Sequence, residues 1–484
     1  MSPVGVRVRM SAAACAIARP GQADTVFPLR TRHKQAVEGR PGSVGRRGTD
    51  LANDAPPRPG GRSGVLTAMD GVFVRRLALT LCGVGLTALG AAQEPVRSSI
   101  ARSPETVSPP GLDPYTRGKE DDLERAGYVR TAPFPIGGYH GTAEIDALIG
   151  EGRMRWIETA HFRIGAELPA ESMKSLGKDV RARLRADLAA AQRRLPRVDV
   201  ETDELDPWLR THLLAQWCEQ SYTDFLRVVG YSEGDFPIRT QGLRLDDSYL
   251  GQGRYLGQKE KYVVLVFAHA PDLRRYAHEY LGADVDWPFR HDLGWGQGLM
   301  FVTALDMDDQ GVDDTALHCA VSYSLFHNFC DGFRGYLFET PVWFKTGLAQ
   351  WYARGIDPRH PQFDRPPGRR GDGRLVAEWD KRAKGLAQND AARPVVELVQ
   401  SRDYAGFKFH DYVESWSLVD FLMSRGDVAM QRFLHRIKSP LWLTTGTVDW
   451  TAVLAQQDRA LQEAFGFRDA AALGVAWKEW AKKK

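Results

Sequence analysis

Two short histidine-led runs carry the residue types most able to do chemistry. Both lie in the apolar stretch Leu317–Phe329, L-H-C-A-V-S-Y-S-L-F-H-N-F. A histidine and a second donor four residues on share one face of a helix, so together they can hold a metal ion. His318 is followed by Cys319 and, four residues on, by Ser322. His327 is followed by Asn328 and, four residues on, by Asp331. Nine residues at about 100° each put His318 and His327 on opposite sides of a straight helix, so they cannot cooperate. Neither run has a glutamate after its histidine to act as general base on a metal-bound water, and H-E-x-x-H occurs nowhere in the chain. Cys319 diverges from His318 by about 100° and reads as a small buried residue.

Downstream, Pro341–Tyr352 reads P-V-W-F-K-T-G-L-A-Q-W-Y. Together with the histidine-bearing run it resembles the two metal-binding helices of gluzincin-type zinc peptidases, in particular the peptidase MA-like domains of secreted bacterial proteins. There the first helix carries H-E-x-x-H and the second opens P-x-W-x-x-E-G-L-A. The resemblance implies that Thr346 stands at the third ligand's position, with Trp343 and Lys345 along the substrate cleft. It leaves two registers open. With His318 leading, Cys319 replaces the base and Ser322 the second histidine. With His327 leading, Asn328 replaces the base and Asp331 the second histidine. His318, His327 and Asp331 are thus the metal candidates, and His318, Cys319, Ser322 and Thr346 the degenerate catalytic positions. Ser322 and Thr346 read as hydrogen-bonding replacements, and Lys345 as a solvated flank residue. Tyr412–Val419, Y-V-E-S-W-S-L-V, and the closing segment with Phe465, Trp477 and Trp480 extend the likeness over roughly residues 155–484.

Other motifs carry less. Gly230-Tyr231-Ser232-Glu233-Gly234 matches G-x-S-x-G, but a helix precedes it where a nucleophile elbow needs a strand. The glycines at 251–253 and 294–298 lack the βαβ setting of a dinucleotide site. His278-Glu279 has Gly282 where a second histidine would stand, and His291-Asp292 and His410-Asp411 read as isolated surface or capping pairs.

The elements that must position these residues are read from periodicity. Arg155–Ile164 alternates as a strand. Ser172–Leu195 and Pro207–Val229 are amphipathic helices, the second closed by Gly230. Tyr262–Ala268 and Gly298–Leu305 are buried strands around a short helix, Asp272–Leu281. The motif helices follow at 315–330 and 341–354. Residues 355–374, dense in Pro, Gly, Arg and Asp, read as an exposed loop. Helices at 376–386, 411–425, 427–437, 449–464 and 468–482 complete the chain. The expected fold is α+β: a small mixed sheet with gluzincin-like active-site helices and a helical C-terminal half.

The net charge of +3 over 484 residues hides an asymmetry. Residues 1–92 hold 13 Lys/Arg and 5 Asp/Glu, a charge of +8, which leaves −5 on the remainder. A mildly acidic body gives no reason to expect a nucleic acid partner. Met69–Ala92 has the order of a secretory signal: Arg75-Arg76, the apolar Leu77–Leu89, then Gly90-Ala91-Ala92. The apolar run is too short to span a bilayer, so no transmembrane anchor is expected after cleavage. The parts are then 1–68, a mis-called or disordered leader; 69–92, the signal; 93–127, a flexible linker; 128–310, an α+β part; and 311–484, a helical peptidase-like part. Of five cysteines, Cys218, Cys319 and Cys330 lie after the cleavage point. The expected protein is secreted or periplasmic and catalytically degenerate. It would act as a binding or structural module for a protein, peptide or envelope ligand, without a cofactor. The alternative is a hydrolase with a rebuilt zinc site using His327, Asp331 and a carboxylate from elsewhere.

Overall fold

The computed structural model describes residues 111–238, 248–294, 298–307, 313–335, 340–364, 378–438, 443–444 and 447–484. The expected leader (1–68), the expected signal (69–92) and residues 93–110 of the expected linker lie outside the described residues. Residues 111–127 do not behave as a linker. Asp113, buried, accepts from Thr116 and lies 3.1 Å from His212 Nε2, and helix α1 (Glu120–Ala126) follows.

Six strands form one mixed sheet: β1 (Tyr128–Thr131), β2 (Arg155–Thr159), β3 (Phe162–Ala166), β4 (Tyr262–Phe267), β5 (Phe289–Asp292) and β6 (Leu299–Ala304). Their spatial order is β1-β2-β3-β4-β6-β5, with β3, β4 and β6 parallel and the others antiparallel to their neighbours. β4 is buried on both faces, which is why it reads as the unbroken apolar run Y-V-V-L-V-F. Its alternate residues serve two cores. Tyr262, Val264 and Val266 pack with α4 (Pro207–Val229) and α6 (Asp314–Gly332). Val263, Leu265 and Phe267 pack with α2 (Thr142–Ile149) and α5 (Ala270–Leu281).

The expected strand over 155–164 is a hairpin. Thr159 Oγ1 accepts from the backbone N–H of Phe162 at 3.0 Å and turns the chain at the end of the five-residue β2. Alternation continues across so short a turn, so the pattern alone hides it. Gly165 is required opposite Trp156, because a Cβ there would lie 2.2 Å from the indole. Asp206 caps α4 by accepting from the N–H groups of Trp208 and Leu209, Pro207 opens it, and Gly230 ends it at φ +73°.

The remaining helices are α3 (Lys178–Gln192), α7 (Val342–Ile356), α8 (Trp379–Gln388), α9 (Val395–Leu398), α10 (Phe409–Met423), α11 (Asp427–Ile437), α12 (Trp450–Phe465) and α13 (Ala470–Lys483). Asp313 caps α6 through the N–H of Ala316. One core runs from the sheet through α4, α6 and α7 to α13, so the two parts expected to meet near residue 310 share their interior. No described helix is long and apolar enough to cross a membrane.

Candidate functional site

α6 lies between the sheet and α7, and it is buried along most of its length. Its Tyr323, His327 and Asp331 recur every four residues and so share one face. α7 brings Lys345 and Thr346 opposite. β5 is the sheet edge on this side. Phe289 joins the core under α5, so the strand's alternation sends the next side chain, Arg290, toward α6. Two irregular segments complete the cluster: one after α7 supplies Asp364, and one before α10 supplies Tyr404.

His327, and not His318, lies in the same cluster as Thr346. Tyr404 Oη lies 3.4 Å from His327 Nδ1 and 3.2 Å from Thr346 Oγ1. One phenol therefore bridges the positions that the resemblance gives to the first and third ligands. Asp331 is paired with Lys345, whose Nζ lies 3.1 Å and 3.2 Å from its two carboxylate oxygens. Asp331 also accepts from the N–H of Thr340, and its own carbonyl accepts from Lys438 Nζ at 2.7 Å. Lys345 is 1% exposed, so the expectation of a solvated flank residue is corrected. Its ammonium is drawn inward because Asp331 is buried there, and an unpaired carboxylate would be costly.

A second ion pair sits beside it. Arg290 Nη2 donates to Asp364 Oδ1 at 2.5 Å, and Tyr323 Oη donates to Asp364 Oδ2 at 2.5 Å. His327 Nε2 faces the same carboxylate at 3.8 Å, too far for a hydrogen bond, and has no hydrogen-bond partner among the described residues. Asp364 is 4% exposed, as Asp357 is at 2%, so the start of the expected exposed loop folds into the body. Composition marked this segment as irregular. It did not reveal that a carboxylate within it had a buried cation to meet.

The electrostatics follow from burial. His327 is held neutral, its pKa driven well down by desolvation and then by the cations Arg290 and Lys345. Burial, then Asp364, raises the phenols of Tyr323 and Tyr404. Burial is the largest influence on Arg290 and opposes its charge, but Asp364, Tyr404, Tyr323 and Asp331 together outweigh it and the guanidinium stays charged. Two internal cations thus face two internal carboxylates around a neutral imidazole.

The other candidates lie elsewhere. His318 stacks on Trp217 of α4, ring centroids 4.4 Å apart, and burial lowers its pKa to about 3. Cys319 is fully buried beside the carbonyl of Asp357, and burial pushes its thiol up to about 12. It is the inert small residue its position suggested. Ser322 is buried on α6. Cys218, Cys319 and Cys330 are all free thiols. Trp343 is fully buried: its Nε1 donates to Gln457 of α12, and its ring meets Phe433 of α11. It is therefore a core anchor between α7, α11 and α12, not a cleft residue. Arg290, Tyr323, Asp364 and Tyr404 were not anticipated. Tyr323 had a signal, standing four residues before His327. The other three come from segments 37 to 77 residues away from His327 in the sequence.

Zinc, implied by the resemblance, needs three or four donors of the right type. Here His327 alone keeps a ligand's chemistry in place. Asp331 is engaged by Lys345, and Thr346 by Tyr404. Among the described residues, no three His, Cys, Asp or Glu side chains gather as a ligand set. The residues present do not fit the ion. No protein-family model, curated protein or solved structure matches the chain.

Proposed function

We propose that this is an exported, catalytically degenerate peptidase-like protein that acts as a binding or structural module. The observation that carries the reading is the buried Lys345–Asp331 pair. An ammonium occupies the neighbourhood where the resemblance requires a metal-ligating face, and it neutralises the one acidic residue at the second-ligand position. Arg290 does the same for Asp364. Internal cations thereby supply the positive charge that a metal would bring, and no general base follows His327. Export rests on the Met69–Ala92 pattern and the recipient on the retained frame, so a protein, peptide or envelope ligand is the proposed partner.

Restoring the site tests the reading. The variant Asn328→Glu/Asp331→His/Thr346→Glu rebuilds H-E-x-x-H and the third ligand in the register that His327 leads. If the frame is that of a gluzincin, it should take up about one zinc ion per chain, whereas the wild type takes up little. Equal, substoichiometric zinc in both proteins would remove the support for the frame. Stoichiometric zinc in the wild type would favour the rebuilt hydrolase.

A further inference from the structure

Asp364 has the relationship to its surroundings that a ligand has to a receptor. The groups that hold or border it stand on regular elements: Arg290 on the sheet edge and Tyr323 on α6 donate to it, and His327 on α6 faces it at 3.8 Å. Asp364 itself arrives on an irregular segment eight residues past the end of α7. Arg290 and Tyr323 each take a different oxygen of the carboxylate, a forked arrangement suited to a planar anion. Their binding capacity is not used up. Arg290 Nη1 and His327 Nε2 are both buried without a hydrogen-bond partner among the described residues. Buried polar atoms are seldom left so, and two that border one carboxylate indicate a pocket able to do more than Asp364 asks of it.

We propose that Arg290, Tyr323 and His327 form a carboxylate-recognition pocket which the chain fills with its own Asp364 as a resident pseudo-ligand. The external ligand is a carboxylate: the terminus of a peptide, an acidic side chain, or a small free acid. It competes with Asp364 for Arg290 and Tyr323, and binding it releases the 357–364 segment. The proposal rests on the reading of this site as a binding module and adds the ligand's chemical class. With Asp364 in place the charges balance; without it the buried guanidinium is uncompensated, and any small carboxylate that fits gains that interaction. Occupation by a tethered group also means that an external ligand meets a high effective concentration of competitor. Wild-type affinity is accordingly low, and the pocket is best revealed by removing the tethered group.

Chemical rescue of Asp364→Ala is the test, with formate as the probe because it replaces the deleted carboxylate. The variant should melt well below wild type in chloride. Formate at the same ionic strength should raise its Tm saturably by several degrees, with no comparable effect on wild type or on Arg290→Ala/Asp364→Ala. If the single variant does not fold in chloride, refolding yield in formate against chloride is the readout, and recovery in formate supports the pocket. Two peptides then separate the sources: one with a free C-terminal carboxylate, one amidated and carrying Asp. Rescue by formate with neither peptide binding identifies a small free acid. Absence of any formate-specific effect overturns the proposal and leaves Asp364 as a structural ion-pair partner. Zinc analysis on the same preparations keeps the two readings apart: wild-type zinc defeats the degenerate-site reading, while formate silence without zinc defeats only the pocket.

Discussion

At the scale of single residues, the cluster is a set of charges that must stay paired. Removing one member of a buried pair strands the other, at a cost of about 3–5 kcal/mol. Lys345→Met should therefore destabilise the fold by about that amount, and Asp331→Leu added to it should recover much of the loss, as denaturant titration of the single and double variants would show. His318→Ala and Thr346→Ala should be milder than Trp343→Ala, where truncation of a buried indole costs about 3–5 kcal/mol. The reverse order in thermal melts would mean that the polar site groups anchor the structure. Glu414 on α10 adds a pH dependence. It is fully buried, and burial raises its pKa from 4.5 to about 8. Its folded pKa lies above its unfolded value, so its contribution is complete below about 4.5 and is lost as pH rises through about 8. Glu414→Gln should flatten the fall in stability across that window, and an unchanged slope would assign the dependence to other groups.

At the scale of elements, the motif Gly347-Leu348-Ala349 is explained by packing. A Cβ on Gly347 would lie 2.2 Å from the carbonyl oxygen of Ser415, so α7 and α10 approach with backbone in contact. Gly347→Ala should cost at least about 1–3 kcal/mol from overpacking, and thermal melts check it. A neutral result would mean that α10 can shift. The long helices were legible because burial writes a strong period into them: Pro207–Val229 was read to the residue, and the motif helices to within about two. β5 was not legible, since F-R-H-D has neither alternation nor branched residues and is a strand only because β6 lies beside it. The site was half legible for the same reason. His327, Asp331 and Thr346 share local spacing, whereas Arg290, Asp364 and Tyr404 converge only through the fold, and no pattern within one helix can announce them.

At the scale of the whole molecule, a mixed sheet backed by helices on both faces holds α6 and α7 against a helical C-terminal half, which is the expected α+β architecture. The sequence before Gly111 carries the proposed export signal, and the exported product should begin at Gln93 or Glu94 by N-terminal sequencing. A product retaining residues 1–68 would contradict both that cleavage and the mis-called leader. The central claim is that internal cations have replaced a metal in this frame, and the measurement that meets it most directly is metal content. Wild-type protein purified without added metal, then equilibrated with zinc and desalted, should retain far less than one ion per chain, and His327→Ala should not change that value. Stoichiometric zinc that disappears in His327→Ala would contradict the account.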